Sequence, residues 1–152
     1  MSSDLFLTDE QEQHIIKAIA RAEKQTSGEI RVHLEFNCPG DPLKRAQKIF
    51  RDLGMDETRL QNGVLIYLAA EDHKAAVFAG RSIYEKVEEG FWDKVLSLLI
   101  DHFKRDEFER GIMEAVEQVG EQLRKLFPYH QKGPVNELTN EISYKDNRNH
   151  TS

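Results

Sequence analysis

Between residues 29 and 36 polar and apolar side chains alternate without a break, Glu29, Arg31, His33 and Glu35 against Ile30, Val32, Leu34 and Phe36. A period of two predicts a strand with one buried face, because successive side chains leave a strand on opposite sides. On that reading His33 is an exposed strand residue. Upstream, residues 9–25 carry Ile15, Ile16, Ile19, Ala20 and Ala22 close to helical spacing, with charge elsewhere. Thr8, followed by Glu10 and Gln11, reads as the N-cap of that helix within a capping box, since a hydroxyl can satisfy a free amide of the first turn. Ser27-Gly28 ends it.

Downstream, Cys38-Pro39-Gly40-Asp41-Pro42 has the chemistry of a loop. Leu43, Ala46, Ile49, Phe50 and Leu53 then share one face of a second helix, which Gly54 stops. Residues 64–70 are continuously apolar, as expected of a central strand covered on both sides. A short polar turn, Glu71-Asp72-His73-Lys74, joins them to a second apolar run at 75–79, so the two runs read as an antiparallel hairpin. Two late helices follow. One has Phe91, Trp92, Val95, Leu96, Leu98, Leu99 and Phe103 on its apolar face, and these aromatic positions read as core. The other has Phe108, Ile112, Val116, Val119, Leu123 and Leu126, and Pro128 stops it.

These elements predict an α/β fold, a small mixed sheet built on a βαβ unit plus an antiparallel hairpin and flanked by helices as a Rossmann-like sandwich. The crossover from residue 29 to residue 70 should be right-handed and its strands parallel. Residues 1–128 are expected to form the domain, and residues 129–152 a polar, aperiodic and flexible tail, extended or disordered, that docks in part through Val135, Leu138 and Ile142. One consequence bears on function. Glu29 opens the first strand, Asn62 precedes the second and residues 80–85 follow the third, so all three junctions should lie at one end of the sheet.

Composition narrows the functional classes. A chain of 152 residues suits one domain with a real core. The net charge of −6 argues against a broad attraction to nucleic acid or an anionic membrane. Cys38 is the one cysteine, so there is no internal disulfide and no CxxC metal motif. Without a basic and apolar leader or a run of about 18 apolar residues, a cytoplasmic protein is expected. The six histidines are scattered, with none paired at i, i+4, which does not suit a histidine-rich zinc site.

Three glycine-bearing blocks, Thr26-Ser27-Gly28-Glu29-Ile30, Asn62-Gly63-Val64-Leu65 and Gly80-Arg81-Ser82-Ile83, occur in an order that resembles the TPM domain family. Asp72-His73-Lys74 and Phe108-Glu109-Arg110-Gly111-Ile112 extend the resemblance over roughly residues 5–127. It implies a compact α/β fold, calcium binding, and an acid phosphatase activity attributed to some members. The chain departs from the family pattern at Gln61, where many relatives have Asp, and at Ser82, where many have a second glycine. Short relatives also often carry Gly-Asp where this chain has Ala79-Gly80.

Calcium takes roughly six to eight oxygen ligands in loose geometry. Glu29, Asn62 and Glu85, with carbonyls of the turn at Gly80, supply such oxygens at the junction end, and calcium is the cation the resemblance favours. The plainer alternative has Glu29 solvated and Glu85 as an acid in the first turn of a helix, favoured by its dipole. A rival cluster, Asn37, Asp41, Glu71 and Asp72, lies at the other end, where turn chemistry is its plainer explanation. Phosphatase chemistry would have to be metal-assisted, because the chain has no P-loop, no Cys-x5-Arg and no Asp-x-Asp at Asp41. The expected function is therefore divalent-cation binding in an interaction or stress-associated module. The alternatives are a metal-assisted acid phosphatase using the same end, or a protein-binding adaptor that contacts an unknown partner through the tail.

Overall fold

A computed structural model describes residues 7–129 and 142–145 of the chain. Four strands, β1 (Glu29–Glu35), β2 (Gly63–Ala69), β3 (Lys74–Ala79) and β4 (Ile142–Lys145), form one sheet in the order β3-β2-β1-β4. β1 and β2 are parallel, with Glu29 opposite Gly63 and Glu35 opposite Ala69. β2 and β3 are antiparallel, as the short turn between the apolar runs predicts. β4 adds to the free side of β1 in parallel, Ile142 against Val32 and Lys145 against Glu35. Ile142 is buried, while Val135 and Leu138 lie outside the described residues.

Helix α1 (Asp9–Glu23) starts on the predicted capping box: the Thr8 hydroxyl accepts from Gln11 N, and the Gln11 side chain accepts from Thr8 N. α2 (Pro42–Asp52) starts on Asp41, whose carboxylate accepts from Leu43 N. A four-residue helix α3 (Arg81–Tyr84) follows β3, then α4 (Phe91–Lys104) and α5 (Phe108–Leu126).

Alternation divides the interior into two layers. Ile30, Val32 and Leu34 of β1 and Val64, Ile66 and Leu68 of β2 join α1, α4 and α5 in the larger cluster. Leu65, Tyr67 and Ala69 face the other way and pack with Ala46, Ile49 and Phe50 of α2 and with Met55. β2 is buried at every position, which its unbroken apolar run already signals. Each fully buried Val, Leu or Ile here contributes about 1.5–3 kcal/mol. Leu43, placed by spacing on the apolar face of α2, is instead exposed at the first turn.

β1 does not have the single buried face that its period of two predicts. Six of its seven residues are buried, Glu29, His33 and Glu35 among them. His33 is therefore not the exposed strand residue expected from alternation. The face that looks solvated in sequence lies on the α2 side of the sheet, where Glu35 is paired inside the protein with Arg45 and Tyr67.

Candidate functional site

Backbone hydrogen bonds tie the three glycine-bearing junctions to one another. Glu29 N donates to Asn62 O at 3.4 Å, and Gly80 N donates to Gly63 O at 2.9 Å. Ser82 N donates to Gln61 O, and the Ser82 hydroxyl to Leu60 O at 2.9 Å. The sheet end predicted by topology is thus the end observed.

Close approach explains why the junctions are glycine. A Cβ on Gly80 would stand 2.2 Å from Gln61 O, a backbone atom that cannot move aside. One on Gly28 would meet the Leu123 methyls at 2.9 Å and Asn62 O at 3.1 Å. Thr26 locks the same corner to the end of α5. Its hydroxyl bonds Leu123 O at 3.0 Å and Phe127 O, and accepts from Gly28 N at 3.0 Å.

Of the three predicted ligands, Glu29 and Asn62 are buried and Glu85 is exposed. Asn62 donates its amide N–H to Ser27 Oγ at 3.4 Å, so its amide oxygen is the atom with coordinating chemistry. Glu85 caps the C-terminal end of α3, so a helix N-terminal dipole does not explain its acid. Glu29 is not the solvated strand residue of the plainer reading either. Gln61 holds the left-handed conformation, φ 53°, and its side-chain amide donates to Asp56 O at 2.8 Å and Thr58 O at 2.7 Å. An open groove of about 700 Å³ lies beside this end, with Asp56, Gln61, Glu85, Arg51 and Arg81 among its lining residues.

The opposite end of the sheet is occupied by turn chemistry. Asp72 accepts from Cys38 N at 2.6 Å, and Asn37 donates to Glu71 and Asp72 at 3.3 and 3.4 Å. Lys74 donates to Cys38 O and Gly40 O, and Asp41 caps α2. These groups hold the loop from 37 to 41 against the hairpin turn.

Sequence reasoning missed a polar cluster between β1 and α2. Glu35 is wholly buried and receives both Arg45 Nε, at 3.1 Å, and Arg45 Nη2. Tyr67 donates its hydroxyl to Glu35 Oε2 at 2.5 Å. His33 stacks on Tyr67, has Nε2 3.6 Å from Glu35 Oε1, and shares a 2.7 Å hydrogen bond between Nδ1 and Ser143 Oγ of β4. Burial disfavours the Glu35 anion, but the polar edge of His33 beside it, hydrogen bonds from Arg45 and Tyr67 and the Arg45 charge outweigh it, and the pKa falls to about 2. Burial and the bond to Glu35 push the Tyr67 hydroxyl far upward, so it stays a donor. The available signal was a tyrosine inside the apolar run of the central strand, because a buried phenol requires a partner.

Among the described residues no three His, Cys, Asp or Glu side chains gather into a ready metal centre. No helix among them is long and apolar enough to cross a membrane.

Comparison with known proteins agrees with this architecture. A family model described as TPM domain matches residues 2–122. The chain is similar to the BA42 protein of the psychrophilic bacterium Bizionia argentinensis, solved by NMR. That likeness has a TM-score of 0.84 and 43% identity over 92% of this chain and 96% of the other. The N-terminal domain of a P. gingivalis protein gives a TM-score of 0.67 at 21% identity, over 82% of each chain. The N-terminal domain of a Corynebacterium glutamicum protein gives 0.63 at 13% identity, over 87% of this chain and 82% of that one. These two likenesses are of fold alone. No curated protein matches the chain.

Proposed function

The chain belongs to the TPM domain family, and from that premise we propose that it binds a divalent cation, with calcium favoured, at the junction end of the sheet. The observation that carries this reading is the convergence of three chain junctions, bonded Glu29 to Asn62 and Gly80 to Gly63, next to a groove that includes Glu85 and Asp56. Glu29, Asn62 and Glu85 offer oxygen atoms only, the donor type a hard cation takes. Because no three acidic or imidazole groups gather there among the described residues, backbone carbonyls and water would complete the shell. Calcium accepts such a shell, whereas structural zinc requires nitrogen and sulfur ligands in tetrahedral array. In this role the domain works as a cation-dependent interaction module.

Calcium titration followed by amide shifts tests the proposal. Perturbations should concentrate at Glu29, Asn62 and residues 80–85, and Glu85→Gln should weaken binding by roughly tenfold or more. A spectrum that does not respond at millimolar calcium refutes it.

One observation favours a second reading, metal-assisted hydrolysis of phosphomonoesters. Arg51 and Arg81 line the same groove as the carboxylates, and guanidinium groups match phosphoryl oxygens. A bound cation would supply Lewis-acid polarisation of the phosphoryl group. Phosphomonoester turnover should then vanish in Glu29→Ala, and turnover that survives the substitution excludes this site as its source.

A further inference from the structure

The groove beside the junction end has a second character that cation binding does not use. Phe50, Phe78 and Tyr84 line it together, in a chain of ring contacts. Phe50 and Phe78 meet edge to face at 4.9 Å, and Phe78 and Tyr84 at 5.9 Å. Tyr84 is 42% exposed yet held on its other side by Trp92, with centroids 5.7 Å apart. An exposed ring fixed between two others offers stacking surface while losing little further rotamer freedom on binding. The volume of about 700 Å³ lies in the range of small-molecule sites.

Charge surrounds these aromatics. Arg51 and Arg81 are exposed cations on the groove, and Asp56 and Glu85 exposed anions. Arg81, Asp56 and Glu85 form no ion pair among the described residues. The four groups alone cancel. A divalent cation held with Glu85 leaves the rim positive, and two guanidinium groups beside it suit a dianion.

We propose that this groove binds a planar aromatic ring carrying a single phosphate, the chemistry of a nucleoside monophosphate. The ring stacks on the Phe78–Tyr84 pair, and the phosphate meets Arg51, Arg81 and the cation. The inference rests on the cation reading for its charge balance, and it requires positive coupling: each ligand tightens the other by the same factor.

Amide shifts of the full chain, titrated with adenosine monophosphate, adenosine and inorganic phosphate with and without millimolar calcium, test it. The monophosphate should perturb Phe78, Gly80, Arg81 and Tyr84, and calcium should tighten its binding about tenfold. Adenosine and phosphate should each bind at least about tenfold more weakly than the monophosphate, since each keeps only part of the contact set. Two exposed positions separate the contributions without threatening the fold. Tyr84→Ala should weaken the monophosphate and adenosine, while Arg81→Gln should weaken the monophosphate and phosphate but leave adenosine alone. Adenosine binding as tightly as the monophosphate, a monophosphate affinity indifferent to calcium, or affinities unmoved by both substitutions would overturn the proposal. Calcium shifts at Glu29, Asn62 and Glu85 with a groove unmoved by the monophosphate sink this inference and spare the cation reading. An absence of calcium shifts sinks both.

Discussion

Glu35 makes the fold sensitive to acid in a defined window. Its carboxyl is wholly buried, and its pKa is held at about 2 against an ordinary 4.5. A carboxylate with a depressed pKa contributes its stability above the unfolded value. That stability is lost as pH falls toward the folded value, because the unfolded chain then takes up a proton that the native state refuses. At about 1.36 kcal/mol per unit, the gap between 4.5 and 2 amounts to about 3 kcal/mol. Glu35→Gln keeps the side chain's shape and an acceptor for Tyr67 but leaves Arg45 without its anion. Urea unfolding of the two proteins, run in steps from about pH 7 to pH 2, should show a variant weaker by about 3 kcal/mol at neutrality. The difference should shrink steadily below about pH 4.5 and close near pH 2. Two parallel curves across that window would refute the reasoning, since the pH dependence would then belong to other carboxylates.

Two further substitutions probe the junctions. Gly80 has φ −66°, which alanine adopts freely, so Gly80→Ala isolates the contact with Gln61 O; a loss of about 2–3 kcal/mol is expected in thermal or chemical melts, and less than about 0.5 kcal/mol would contradict it. Thr26→Val keeps the volume and removes the hydroxyl that serves Leu123 O, Phe127 O and Gly28 N, so about 1–3 kcal/mol should be lost, together with hydrogen-exchange protection at Gly28.

The order of elements and the shared end of the three junctions were legible because local signals coincide there. Helical spacing, alternation, an apolar run and a short polar turn each specify one element, and connection rules assemble them. The burial of Glu29, His33 and Glu35 was not legible. Alternation reports which residues share a face and says nothing of what covers that face. Here α2 covers it with Arg45, which is not among the apolar positions that mark that helix in the sequence. β4 was not legible either, because four residues that pair through backbone groups carry no periodicity. For the site, topology located Glu29, Asn62 and the Gly80 turn. The groove escaped, since Phe50, Phe78 and Tyr84 come from three elements whose meeting depends on tertiary packing.

The position of β4 also sets a timetable for synthesis. Among the described strands β1 leaves the ribosome first and its outer partner last: His33 and Ser143 are 110 residues apart. The growing chain can pair β1 with β2, and β2 with β3, long before β4 exists, and it must hold an open sheet edge meanwhile. Glu23 protects the start of that edge, because its carboxylate takes the Ile30 N–H at 2.7 Å, a hydrogen bond no incoming strand can then use. From Val32 to Glu35 the edge waits for residues 142–145. Every copy therefore passes through a nascent stage whose exposed edge is half of the strand, which the chain itself closes only once residues 142–145 have been made.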